Sequence, residues 1–251
     1  MFKKVFCVLA AFTVLLSGCG FNGKTASKDK LTKSSSEVPS SEIAQSSKIV
    51  VVGIDRSGSF YPNIEKGLVQ KAVASFFRDN VHPGDDWYFR WISNNSYDVE
   101  AIVSGLEHIK VPSGDVKNTN VFDIHQAMQA RENEESLRKI MDYVKVKLER
   151  LKTSAVYGTD IFGFFKKAES ILNSSDKSEK WIVVFSDLED TVEDETYLRL
   201  KGVKVFIYHA GKYAKFAEKT KKMWVNTLTD SGAQVVLRDL SEAIGSDVYS
   251  K

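Results

Sequence analysis

The sequence predicts an α/β domain built on a mostly parallel sheet with helices on both faces and one antiparallel edge. Two observations carry this. Short apolar runs that fit buried strands recur at 49–54, 181–185 and 203–208. Segments with helical periodicity lie between them, near 62–79, 161–173, 191–201 and 213–229.

Each element has its own justification. The run 49–54 is wholly apolar apart from Gly53, as a strand covered on both faces must be. The helix over 62–79 starts at Pro62, a residue tolerated in a first helical turn, and lines up Ile64, Leu68, Val69, Ala72, Val73 and Phe76 on one broad face. Segments 87–93 and 97–103 flank Asn94 and Asn95, which reads as a β-hairpin and supplies the antiparallel edge. The stretch 107–157 is the least regular. Within it, Leu137, Ile140, Met141, Val144, Leu148 and Leu151 mark one face of a long helix, with Glu134–Arg138 and Glu135–Lys139 as exposed i,i+4 pairs. That stripe requires burial, so a helix on the flank of the sheet is expected, with a dedicated partner-binding element as the alternative. Upstream, HIKVPSGDVKN identifies no ligand. The lysines of KYAKFAEKTKKMW fit the solvated face of an amphipathic helix over 213–229, and 234–237 completes the sheet. About two hundred residues in this pattern can bury a full core.

The N-terminus predicts where the protein works. Lys3 and Lys4 precede an apolar run over 5–16, long enough for an export signal but short of the roughly 20 residues that span a bilayer. LLSGC at its end resembles the lipobox of bacterial lipoproteins, which implies a signal peptide over 1–18 and a lipidated Cys19; ordinary secretion with a free Cys19 is the alternative. Two acyl signals would anchor the chain stably, as by palmitate on the thiol and a second chain on the new amino group. Localisation is thus expected at a bacterial cell or outer membrane, outside the cytoplasm. Gly20, in place of the inner-membrane retention Asp of such lipoproteins, favours the outer membrane. Cys7 is removed with the signal, leaving no partner for an intramolecular disulfide.

Residues 19–47 are rich in Ser and Lys and poor in large apolar groups, so they read as a flexible tether with a reach of roughly 30 Å. The domain follows over 48–251. Of 35 basic residues, Lys3 and Lys4 leave with the signal, so the mature chain has 33 basic against 33 acidic residues. That balance gives no argument for nucleic-acid binding.

Three separated pieces suggest a site. Asp55, Ser57 and Ser59 alternate in IVVVGIDRSGS, Thr159 stands in YGTD, and Asp187 ends WIVVFSD. Two of these pieces follow apolar strands, where open α/β sheets place ligands. Alternation lets three oxygen groups face one point, and Gly58 relieves crowding. Two carboxylates and three hydroxyls suit a hard cation, Mg²⁺ first and Mn²⁺ next, with a coordination position left for an external acidic group. Taken singly, these residues also fit turns and helix caps: Thr159 and Asp160 before the helix at Ile161, and Asp187 before the next one. Asp160 and Asp190 read as caps or supporting groups.

D-x-S-x-S after the first strand, a distant Thr and an Asp ending a later strand resemble the metal-ion-dependent adhesion site (MIDAS) of the von Willebrand factor A (VWA) family. The resemblance covers roughly 48–246 and implies a doubly wound, Rossmann-like sheet. It also implies that Asp55, Ser57, Ser59, Thr159 and Asp187 are metal-site residues and that an acidic residue of a protein partner completes the ion's shell. One departure is Leu188, where members of the family often have Gly, and this bears on the shape of the last loop.

Catalytic readings have less support. His82, His108, His125 and His209 lack metal-ligand spacing, and no G-x-S-x-G elbow or Walker loop occurs. A Mg²⁺-dependent phosphoryl-transfer or hydrolase enzyme would need a cationic clamp, and Arg56, between alternating ligands, points away from the ion. A metal-independent structural protein of the cell envelope is the third alternative. The expectation is a non-enzymatic, membrane-anchored binding module.

Overall fold

β1 (Lys48–Asp55) is buried at every position and forms the middle of the domain. In the computed structural model, the residues described are 47–113, 124–192, 197–210 and 214–244. The signal peptide, Cys19 and all of the tether but Ser47 lie outside them.

Six strands form one sheet in the order β3-β2-β1-β4-β5-β6. β2 (Asp86–Ile92), β4 (Glu179–Ser186), β5 (Val203–His209) and β6 (Gln234–Asp239) extend the parallel array around β1, and β3 (Ile109–Lys110) pairs antiparallel with β2 at one edge. The fold class expected from sequence is therefore observed. The antiparallel edge is not where the hairpin reading put it. The arm expected over 97–103 meets β2 through one antiparallel bridge, Ile102–Arg90, flanked by the Trp91 amide on the Ala101 carbonyl at 2.8 Å and the Val103 amide on the Phe89 carbonyl at 3.2 Å, and the edge strand itself, β3, is two residues long. The buried Arg90 guanidinium donates to the Ser96 and Asp98 carbonyls, so the residues of the connecting loop are held by a side chain in place of a strand ladder.

Alternation along β1 divides the core in two. Val50, Val52 and Ile54 face a layer made by α1 (Tyr61–Glu65), α2 (Leu68–Asn80), α3 (Ile124–Glu149) and α6 (Leu240–Ile244). Ile49 and Val51 face α4 (Ile161–Asn173) and α5 (Ala214–Asp230). Gly53 lies on this second face, and a Cβ there would stand 2.5 Å from the Phe164 ring. The missing side chain lets α4 lie directly on β1.

The helix expected over 62–79 is split at Gly67, whose φ of 69° no continuous helix accommodates. The apolar stripe of α3 is buried as expected, through Val144 and Leu148, with Leu137, Ile140, Met141 and Leu151 packed around them. The helix expected over 191–201 is not found among its described residues: Thr191, Val192 and 197–200 are irregular. Leu198 and Leu200 in that segment are nonetheless buried in the core.

Candidate functional site

The parallel strands β1 and β4 end side by side, and their last residues make the rim of the candidate site. Asp55, the last residue of β1, is fully buried. Its Oδ1 accepts the Ser57 amide at 2.7 Å and its Oδ2 accepts the Ser186 hydroxyl at 2.6 Å. Ser186 in turn accepts the Leu188 amide at 2.8 Å, so one hydroxyl ties β1, β4 and the loop after β4 together. The hydroxyls of Ser57 and Ser59 stand 3.3 Å apart, facing each other as the alternating pattern requires.

Two ties connect the segment that carries Thr159 to the ends of the strands. Val156, three residues before it, forms a parallel bridge with Ser57, and its amide donates to the Arg56 carbonyl at 3.1 Å. Beyond Asp187, Thr191 exchanges bonds with Thr159: the Thr159 amide donates to Thr191 Oγ1 at 2.7 Å, and the Thr191 amide donates to the Thr159 carbonyl at 2.9 Å. Gly158, with φ 85°, passes so close to Asn94 and Thr191 that a Cβ would meet each at 3.3 Å. Asp160 caps α4 through Gly163, and Asp190 accepts the Ile161 and Phe162 amides, so both serve the helix start.

The carboxyls at the rim act on one another. Burial, reinforced by the Asp187 charge and opposed by the bonds from Ser186 and Ser57, pushes the Asp55 carboxyl up to about 7. Burial and Asp187 also raise the Glu189 carboxyl, and burial raises Asp190. Among the described residues, neither Asp55 nor Asp187 has a salt-bridge partner. The nearest cation in sequence, Arg56, lies over the Trp91 ring, 5.8 Å from its centroid, and burial lowers its pKa. No three His, Cys, Asp or Glu side chains converge among the described residues, so a carboxylate- or imidazole-rich cage is absent from them. A set of two carboxylates and three hydroxyls fits instead a hard cation that keeps part of its water shell. The raised Asp55 carboxyl fits too, since a cation between Asp55 and Asp187 would favour its charged form.

The Leu188 departure has a structural answer. Leu188 is the one non-glycine residue of positive φ among the described residues, at 65°, so it takes the backbone shape that Gly would take without strain. Its side chain is fully buried, and Trp224 Nε1 holds its carbonyl at 3.1 Å. Sequence reasoning missed Ser186, Thr191 and His209 as rim residues. Ser186 had a signal, standing in the strand-ending FSD beside Asp187; the others are brought in by tertiary contacts. The buried His209 ring, at the end of β5, lies close enough to Asp187 to feel its charge, while its Nε2 has no partner among the described residues. Burial and Lys221 lower its pKa.

No family model matches the sequence, and no curated protein is significantly similar to it. Solved structures are similar. A von Willebrand factor type A protein from Catenulispora acidiphila superposes with a TM-score of 0.50 at 16% identity, over 79% of this chain and 40% of its own. Manganese-loaded TRAP protein of Plasmodium vivax gives 0.41 at 12% identity, over 79% of this chain and 71% of its own. Proximal thread matrix protein 1 of the mussel byssus, with a zinc-occupied MIDAS motif, gives 0.44 at 11% identity, over 78% of this chain and 43% of its own. The chain thus spans well under half the length of the first of these. With the mostly parallel six-stranded sheet, its antiparallel edge and its helices on both faces, the first similarity establishes that the chain has the von Willebrand factor type A fold.

Proposed function

We propose that the protein is a membrane-anchored binding module that captures a protein partner through a divalent cation at the sheet rim. Asp55, Ser57, Ser59, Thr159 and Asp187 would hold the ion, Mg²⁺ first and Mn²⁺ next. The ion's contribution would be an open position for a Glu or Asp carboxylate of the partner. The observation that carries this reading is the pairing of a fully buried Asp55 carboxylate with Asp187 where no side-chain cation answers them among the described residues. Two unanswered carboxylates in a low-dielectric rim are costly unless a cation joins them.

Binding is favoured over catalysis because phosphoryl chemistry needs a cationic clamp, and the Arg56 guanidinium lies over the Trp91 ring. Anchoring through Cys19, and hence a place at the envelope outside the cytoplasm, rests on the lipobox-like LLSGC. No helix among the described residues is long and apolar enough to cross a membrane.

The test is calorimetric titration of Mg²⁺ and Mn²⁺ into the chelated protein, followed by capture from envelope extract with and without chelator. The wild type should bind one ion. Ser57→Ala with Ser59→Ala should lose it and the chelator-sensitive capture, while far-ultraviolet circular dichroism is unchanged and urea unfolding in chelator stays cooperative. Capture that survives both chelation and the double change overturns the reading in favour of a metal-independent envelope protein. Phosphate-ester turnover that depends on Asp55 overturns it in favour of an enzyme.

A further inference from the structure

Beside the rim runs a groove of about 720 Å³ between the C-terminal half of α3 and the segment holding Ile102 and Ser104, next to Trp91 of β2. Trp91 and Leu151 lie along it, and Lys139, Lys147, Arg150 and Lys152 supply its charge against a single lining carboxylate, Asp142. The cations differ in what already engages them. Glu135 holds Lys139 at 2.8 Å, and Lys147 lies over the Tyr143 ring, 5.4 Å from its centroid. Arg150 and Lys152 are exposed, and neither pairs with a carboxylate among the described residues.

This groove joins the rim physically. Arg56, between Asp55 and Ser57 in sequence, extends over the ring of Trp91, a buried residue at the groove's floor. The segment after α3 leads from Leu151 and Lys152 in the groove to Val156, the residue bridged to Ser57. A chain segment lying along the groove therefore arrives at the candidate ion.

We propose that the groove is a second contact surface for the captured partner and receives an extended segment rich in Asp and Glu. The inference rests on the function proposed above for where that segment leads, and adds the partner's chemistry: several carboxylates, one for the ion and the others for Arg150, Lys152 and their neighbours. Charge complementarity selects this occupant. The half-exposed Tyr143, whose hydroxyl donates to the Gly105 carbonyl at 2.9 Å, gives apolar area at low entropic cost. A membrane surface fits less well, because the cations line a cleft and the strand end leading back to Ser47 is the one opposite the rim. The larger groove of about 930 Å³ beside α1 and α2 carries charges of both signs, and nothing in the structure shows what covers it.

The test uses a fluorescein-labelled oligoglutamate peptide and the full chain, read by anisotropy in Mg²⁺ and in chelator. The double variant Arg150→Glu, Lys152→Glu changes two exposed side chains, and circular dichroism checks its fold. The peptide should bind the wild type. The variant should weaken binding about ten-fold or more, and chelator should leave a residual affinity that the variant abolishes. Affinity lost in chelator but unchanged in the variant overturns the groove and leaves the ion reading standing. Affinity lost in the variant but indifferent to chelator supports the groove and removes the ion reading. No peptide binding overturns the groove, as does variant-sensitive binding of phosphatidylglycerol vesicles in place of the peptide.

Discussion

The hydroxyl of Ser186 donates to Asp55 Oδ2 at 2.6 Å, joining the last residue of β4 to the last residue of β1. It also accepts the Leu188 amide, so a single buried group satisfies two partners. Ser186→Ala should cost about 2–3 kcal/mol of stability, because it leaves the buried Oδ2 of Asp55 and the Leu188 N–H without partners together, while Oδ1 keeps the Ser57 amide. It should also weaken Mg²⁺ binding, since Asp55 loses a bond that fixes its orientation. Urea unfolding of the chelated protein and calorimetry of the ion separate the two effects.

Acidity should stabilise the metal-free protein at this position. The folded Asp55 carboxyl stands at about 7 against an ordinary 3.8. Between these values the folded chain holds a proton that the unfolded chain has released, so the contribution is full below pH 4 and is lost as pH rises through 7. The loss is on the order of a few kcal/mol. In chelator, the wild type should lose more stability from pH 5 to pH 8 than Asp55→Asn does, and Mg²⁺ should reverse the difference. Equal slopes for the two proteins would refute the assignment.

Leu188 sets strain against burial. Leaving φ 65° unrelieved costs about 1–2 kcal/mol, whereas deleting a buried Leu side chain costs about 2–5 kcal/mol. Burial is the larger effect, so Leu188→Gly should still destabilise. It should nevertheless be more stable than Leu188→Ala, reversing the usual Ala-over-Gly order. Urea midpoints of the three proteins decide this.

Gly53→Ala should destabilise by about 1–3 kcal/mol, since its Cβ would stand 2.5 Å from a fully buried aromatic ring. Phe164→Leu should recover part of that loss in the double variant. Additive costs in the double-mutant cycle would show that the ring is not the obstacle.

The strands of the central sheet were legible because burial on both faces leaves almost nothing but apolar residues, as in β1 and β4. The long helix was legible from the stripe containing Val144 and Leu148. Misreadings arose where a distant group outcompeted the local pattern. Asn94 and Asn95 look like a hairpin turn, yet Arg90 holds the following carbonyls. Thr191 begins what resembles a helix, yet its hydroxyl and amide are committed to Thr159. A two-residue edge such as β3 is too short for alternation to register. At the rim, the alternation of Asp55, Ser57 and Ser59 was visible in one short run, whereas the bridge from Ser57 to Val156 that carries Thr159 toward it joins residues nearly a hundred positions apart.

β1 is entered at Lys48 and finishes at Asp55, with β2 and β4 paired along nearly its full length on either side. At the entry end, Lys48 Nζ and Asp85 meet at 2.8 Å, both side chains almost wholly out of solvent. A pull between the rim and whatever precedes Ser47 would run lengthwise through this strand. It would have to slide two ladders past their neighbours at once, with no edge from which to unzip, so the domain is arranged to stay folded under tension.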